Sequence, residues 1–126
     1  MAFGPITSPD MPVALGPYSH AVRAGDFVFV SGQPGVDRST GAVPPGGFEA
    51  EGRQAFVNLR TVVESAGAAM DRVVRTTVFL ASADHFPAMN QLFAEFFAAA
   101  PPARATPIVR LPGGLQISID ATVFLG

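Results

Sequence analysis

Apolar and polar residues alternate from Ser19 onward, with Ala21 and Arg23 in one run and Phe27, Phe29 and Ser31 set against Val28 and Val30 in the next. A period of two predicts strands with one face covered and one open. Gly25-Asp26 lies between the runs and predicts a hairpin turn. Residues 1–17 carry four prolines and read as an extended, irregular lead-in. After the hairpin, Ser31 to Gly47 is rich in Gly and Pro and reads as a loop, long enough for a functional role.

The period then changes. Residues 49–66 place Phe56, Leu59, Val63 and Ala66 on one face, with Glu49, Arg53, Arg60 and Glu64 mostly elsewhere. That spacing predicts an amphipathic helix, closed by Gly67. Val73 to Leu80 is β-branched and apolar, as a buried strand is. Asp84 is placed to cap a second helix, with Pro87 in the first turn, where a missing N–H does no harm. Phe86, Met89, Leu92 or Phe93, and Phe96 would form its apolar stripe before Pro101-Pro102. Two more strands are predicted near Ala105–Arg110 and Gln116–Phe124, around a turn at Pro112-Gly113-Gly114. In the last one Ile117, Ile119, Ala121 and Val123 share one face, and Gln116, Ser118, Asp120, Thr122 and Phe124 share the other. The order β-β-α-β-α-β-β, with no repeat and no linker, predicts one α+β domain over residues 1–126 with two helices on one sheet face. The other face then needs a cover, and a partner subunit is the simplest one.

Composition sharpens that expectation. Of 126 residues, 48% are hydrophobic, eleven are Phe and only 14% are charged. A typical domain carries about 25% charged residues, so oligomerisation is expected to hide the apolar excess. Net charge is −2 with eight scattered cations, which argues against tracking a phosphate backbone. All eight are Arg; without Lys there is no Schiff-base or P-loop chemistry. Without Cys there is no thiol nucleophile, disulfide or thiolate metal site. The two histidines, His20 and His85, form no metal-binding motif, and neither a metal nor a cofactor is expected. No run reaches the ~18 apolar residues of a membrane span and no secretory leader is evident, so a soluble cytoplasmic protein is expected.

Chemistry must therefore come from Arg, Asp, Glu, Ser, Thr, Tyr18 or the backbone. Tyr18 precedes the first strand of the hairpin and Ser31 ends the second, so both fall at one end of the sheet. Pro101-Pro102-Ala103-Arg104 fixes the approach to a strand and so the direction of Arg104. A guanidinium there can grip a small carboxylate through two parallel hydrogen bonds, or pair with an Asp or Glu of the chain itself. His20 either borders the Tyr18 region or lies on a strand edge in solvent, while His85 reads as solvated and Glu64 and Glu95 as helix surface.

As a set, several segments resemble one family. They are Gly16-Pro17-Tyr18, Val30-Ser31-Gly32-Gln33, Asn58-Leu59, Thr76-Thr77-Val78-Phe79-Leu80, Met89-Asn90, Pro102-Ala103-Arg104 and Arg110-Leu111-Pro112. In this order and spacing the chain resembles the reactive intermediate deaminase (RidA) family, also called the L-PSP endoribonuclease family, from about residue 7 to residue 124. The resemblance implies a chorismate-mutase-like α+β fold and a homotrimer with a central barrel and pockets between subunits. It implies hydrolysis of 2-imino acids or their 2-aminoacrylate tautomers to 2-oxo acids and ammonium, without a cofactor. By position, Arg104 would hold the substrate carboxylate, helped by backbone groups at Gly32 and Thr106. Tyr18 and Ser31 would line the pocket and order water, with Asn90 approaching from the interface.

The chain departs from the family pattern in two places. The final strand usually reads Ile-Glu-Ile-Glu, the first Glu activating water, and here it reads Ile117-Ser118-Ile119-Asp120. Ser118 thus takes the catalytic position, and Asp120 stands on the same face about 6.5–7 Å further along. Pro107 replaces a residue with a backbone N–H. The expected activity is imine deamination, slow or with a shifted substrate. The alternatives are a non-catalytic trimer that binds small carboxylates and, disfavoured by the charge, a ribonuclease.

Overall fold

The computed structural model describes residues 3–11 and 14–126. The strands are β1 (Phe3–Ile6), β2 (Ala21–Ala24), β3 (Phe27–Pro34), β4 (Val73–Leu80), β5 (Ala103–Ala105) and β6 (Ile117–Phe124). The helices are α1 (Gly47–Ser65) and α2 (Phe86–Phe96). All six strands form one sheet in the order β1-β2-β3-β6-β4-β5. Neighbours run antiparallel except β4 and β5, which are parallel.

Alternation along the strands decides which face is covered. Val28 and Val30 of β3, Val78 and Leu80 of β4, and Ile117, Ile119 and Val123 of β6 are buried against the helices. The α1 stripe of Phe56, Leu59, Val62 and Val63 fills this face, with Met89 and Leu92 of α2 beside it. Burying such side chains stabilises the fold by about 1.5–3 kcal/mol each. Across the sheet Phe27, Phe29 and Phe124 remain 39%, 48% and 37% exposed. The Phe27 ring lies 5.3 Å from Phe124 and 6.3 Å from Phe29, so the three form a continuous aromatic strip without a cover among the described residues.

The α+β class, the hairpin, both helices, β4 and β6 match the sequence pattern, and five details differ. First, the proline-rich lead-in contains β1, which pairs with β2 from Phe3↔Ala24 to Ile6↔Ala21; residues 1–2 and 12–13 lie outside the described residues. Second, β3 runs on through Ser31 to Pro34, so the loop begins later than the Gly/Pro content suggested. Third, Ser82 rather than Asp84 caps the approach to α2. Its side chain accepts from Asp84 N over a 3₁₀ turn, Ala83–His85, that leads into the helix. Fourth, β5 is shorter and earlier than predicted, because Pro107 cannot donate to a ladder. Pro107 O still accepts from Leu80 N at 3.1 Å, and Val109 N donates to Leu80 O at 2.9 Å. Fifth, Phe86 is 38% exposed and stands outside the core stripe.

Candidate active site

The β3–β6 ladder slips between Val30 and Gln33, a bulge that lifts Ser31 and Gly32 out of regular pairing. Gly32 comes so close to β6 that an added Cβ would lie 2.7 Å from Ser118 Oγ. A larger residue there would displace the Ser118 hydroxyl. Tyr18, Gly32 and Ser118 line one open cleft together with Leu15, Leu111 and Leu115. Tyr18 is 42% exposed, and its hydroxyl accepts from Leu15 N at 3.3 Å. Ser31 adjoins the cleft by sequence, but its hydroxyl donates to Ser19 O at 2.6 Å and its N–H to His20 O at 2.8 Å. Asp120 Oδ1 accepts from Thr77 N at 2.9 Å across the β4–β6 ladder, so one of its oxygens is tied to the sheet.

Arg104 is placed elsewhere. It pairs with Thr76 in the β4–β5 ladder, and its side chain turns toward α2. The guanidinium carbon lies 4.7 Å from the Phe93 ring centroid and 5.5 Å from that of Phe86, and Nη1 is 3.5 Å from Met89 Sδ. Among the described residues no carboxylate pairs with it; the ion pairs are Arg53–Glu49 and Arg53–Glu95. The alternative of an Arg104–carboxylate pair within the chain is therefore not what the fold builds. Asn90, one turn after Phe86 on α2, and Thr106, just past β5, are half-buried on the same edge. β4 stands between β5 and β6, which puts those two strands roughly 10 Å apart. Arg104 faces the helices and Ser118 the opposite side of the sheet. Within one chain the predicted residues thus form two groups: Tyr18, Ser31, Gly32 and Ser118 at one, Arg104, Asn90 and Thr106 at the other.

Three buried polar residues escaped the sequence reading of the site. Glu51 is 3% exposed, with its carboxylate accepting from Gln116 N at 2.7 Å and from Gln116 Nε2 at 3.2 Å. Its place between Phe48 and Ala55 on the apolar stripe of α1 was the available signal. An added Cβ on Gly35 would meet Glu51 O at 2.1 Å, so glycine is required where β3 passes the helix. Asn58 holds the same passage, donating to Pro34 O and Val36 O. Gln33, fully buried, donates to Ser31 O at 3.0 Å and lies 3.1 Å from His20 Nδ1. His20 is half-buried and borders a small cavity with Tyr18, Gln33 and Asn58; it is not a solvated edge residue. His85 is half-buried too, stacked on Phe48 at 4.2 Å and 7°.

Away from the site, the Ser39 hydroxyl and backbone N–H hold the Asp37 carboxyl below the usual range. Hydrogen bonds from Arg53 do the same for Glu95, and raise Arg53 in return. Among the described residues no helix is long and apolar enough to cross a membrane, and no cluster of His, Cys, Asp and Glu is arranged to hold a metal.

A bulged sheet covered by two helices on one face, with a glycine-lined cleft and an arginine held among aromatic rings, defines an α+β fold of two layers. The chain belongs to the endoribonuclease L-PSP family, whose profile matches residues 8–125. It is 38% identical over 122 residues to the mouse (Mus musculus) 2-iminobutanoate/2-iminopropanoate deaminase, covering 96% of this chain and 90% of that one. Among solved structures it is similar to RidA from an Antarctic Psychrobacter, at 34% identity and a TM-score of 0.89, covering 94% of this chain and 97% of that one. It is also similar to E. coli TdcF with bound serine, at 31% identity and a TM-score of 0.90, covering 95% of this chain and 97% of that one.

Proposed function

We propose that the protein hydrolyses reactive 2-imino acids, and their 2-aminoacrylate tautomers, to 2-oxo acids and ammonia. One observation carries the reading: the Arg104 guanidinium is half-buried among Phe86, Phe93 and Met89 with no carboxylate of the described chain beside it. A permanent cation placed this way is suited to an anionic ligand, and its planar fork fits a carboxylate. The mouse relative's name gives the reaction class, and the serine in TdcF is a ligand of matching size with a carboxylate.

The two residue groups are too far apart to act within one chain, which supports a site assembled between subunits of a homotrimer. The open aromatic strip of Phe27, Phe29 and Phe124 gives such an assembly apolar surface to bury. In that site Arg104 holds the carboxylate, with Asn90 and Thr106 beside it. Across the interface, Tyr18 and Ser118 order the water that adds to the imine carbon, against the backbone at Gly32. The resulting carbinolamine passes a proton to nitrogen, the C–N bond breaks, and ammonia leaves a 2-oxo acid. An imine is already electrophilic, so these steps need no cofactor. We read residues 1–126 as one domain acting in the cytoplasm.

The second reading is a carboxylate-binding trimer without turnover. It is favoured by Ser118, a neutral hydroxyl at a position where the family resemblance implies a Glu. The test is hydrolysis of freshly generated 2-iminopropanoate, together with 2-oxobutanoate binding, by wild type and Arg104→Ala. Truncation removes a charge-assisted contact worth about 1.5–3 kcal/mol, and binding should weaken by roughly ten- to 150-fold. Binding without turnover selects the second reading. Unchanged binding by Arg104→Ala makes the arginine structural and overturns both.

A further inference from the structure

We propose that neutral His20 is the positioning residue that sets the Ser31-Gly32 bulge for its carboxylate ligand, and that protonating His20 releases the bulge and weakens binding of 2-oxo and 2-imino acids. The inference rests on the reading above that Gly32 and Ser118 belong to the binding site.

The argument begins with one amide. The Ser31 carbonyl can only accept a hydrogen bond, so the Gln33 side-chain group 3.0 Å away is its NH₂. The same nitrogen lies 3.1 Å from His20 Nδ1. Its second hydrogen needs a lone pair there, which places the imidazole proton on Nε2 and leaves the ring neutral. Ser31 N–H donates to His20 O, and Ser31 Oγ to Ser19 O, so the bulge is fastened to residues 19–20 through side chain and backbone alike. On its other side, toward β6, the ladder register is broken at this point. The grip on Ser31 therefore comes from the His20 side.

A proton on Nδ1 cannot be accommodated in this arrangement. It would meet the amide N–H donor to donor. Turning the amide over would instead set Gln33 Oε1 against the Ser31 carbonyl, acceptor to acceptor. His20 Nε2 is already buried without a partner, so a second ring N–H would add charge where the first has found no acceptor. The charged groups beyond the ring are already engaged with other partners. The Tyr18 ring stands edge-on at 6.0 Å, and the cavity beyond brings Asp37 and Arg38 from the loop and neutral Asn58 from α1. Asp37 is bound by Ser39, and Arg38 donates to Pro9 O and Asp10 O. The groove toward β1 adds Ile6, Thr7, Ser8 and Met11, none of them charged.

Since Gly32 and Ser118 line the same cleft, with room for no more than a glycine's hydrogen beside the Ser118 hydroxyl as it stands, a shift of the bulge is felt at the cleft floor. Ligand and proton then compete, and by linkage each weakens the other by the same factor.

The experiment measures 2-oxobutanoate affinity by calorimetry from pH 8 to pH 5.5. The His20 Cε1–H resonance and the Ser31, Gly32 and Gln33 amide resonances are followed over the same range. The ligand stays ionised throughout. Wild-type affinity should fall by about fivefold or more, the low end of ordinary coupling, with its midpoint on the His20 titration. His20→Gln offers an uncharged acceptor and should bind with a flat pH profile. His20→Leu removes the acceptor and should bind weakly at both ends. Retained pH dependence in His20→Gln, or flat wild-type binding while His20 titrates, overturns the proposal. If wild type binds no 2-oxo acid at any pH, the functional reading fails on its own. The unliganded amide shifts still decide the positioning claim: they must follow His20, and silence there overturns it.

Discussion

On β6, Ile117, Ile119 and Val123 are sealed beneath the helices, while Ser118, Asp120 and Thr122, one step away in sequence, stay half-buried and Phe124 is exposed. The covered face is finished within one chain: α1 and α2 supply the apolar side chains it lacks. The open face carries both an aromatic strip without a lid and the polar residues of the cleft. Folding completes one face. The other sets exposed aromatics beside the cleft residues, so in the proposed reading the Ser118 half of the site shares a surface with the assembly contact.

Substitutions that strike one face should leave the other legible. Ile119→Ala hollows the covered face and should cost about 2–5 kcal/mol in denaturant unfolding, the usual loss for truncating a fully buried Ile. A loss well under 1 kcal/mol would show that the helices do not seal this strand. Phe29→Glu charges the open face and should lower the solution mass toward one chain while circular dichroism stays unchanged. Central aromatic contacts are worth about 2 kcal/mol or more at an interface. A wild type that is already single-chain at micromolar concentration would dissolve the comparison.

Ser118→Glu sharpens it at the cleft. A positioned base contributes typically 10²–10⁴-fold, and a modest tenfold gain in imine hydrolysis, about 1.4 kcal/mol of barrier, would identify Ser118 as the deficit. No gain, with loss of rate in Asp120→Asn, would shift the role to Asp120. The smallest effect lies away from both faces. Arg53 holds the Glu95 carboxyl below its ordinary value, chiefly by hydrogen bonding. A lowered folded-state value gives stability that is present above the unfolded value, about 4.3, and is lost as pH falls through the folded one. Both side chains are exposed, so Arg53→Met should move the acid-unfolding midpoint only slightly upward in pH.

The elements most legible in the sequence are those whose pattern depends on their own spacing. The alternation of β6, the α1 stripe and the β-branched β4 each repeat often enough to specify a face. Elements defined by a partner were not legible. Phe3–Ile6 contains Gly and Pro and becomes a strand because β2 offers an edge to it. The strand expected at 105–110 shrinks to Ala103–Ala105 because Pro107 interrupts the ladder. In the site, the two prolines before Arg104 disclosed a fixed direction but not its surroundings, since Phe86, Met89 and Phe93 read only as a helix stripe. His20 and Gln33 gave least signal of all. A polar pair joined across 13 residues leaves no period to find.

The Asn58 clamp has a consequence for altering the chain. By gripping Pro34 O and Val36 O, and by accepting from Gln54, Asn58 fixes the root of the β3–α1 connection to the helix. Beyond that root, Ser39 to Gly41 form an exposed tip closed by its own Asp37–Ala42 bridge. A rigid root with a self-closing tip is a natural graft point: a peptide or small tag spliced between Ser39 and Thr40 lengthens only the part of the loop that the helix does not hold.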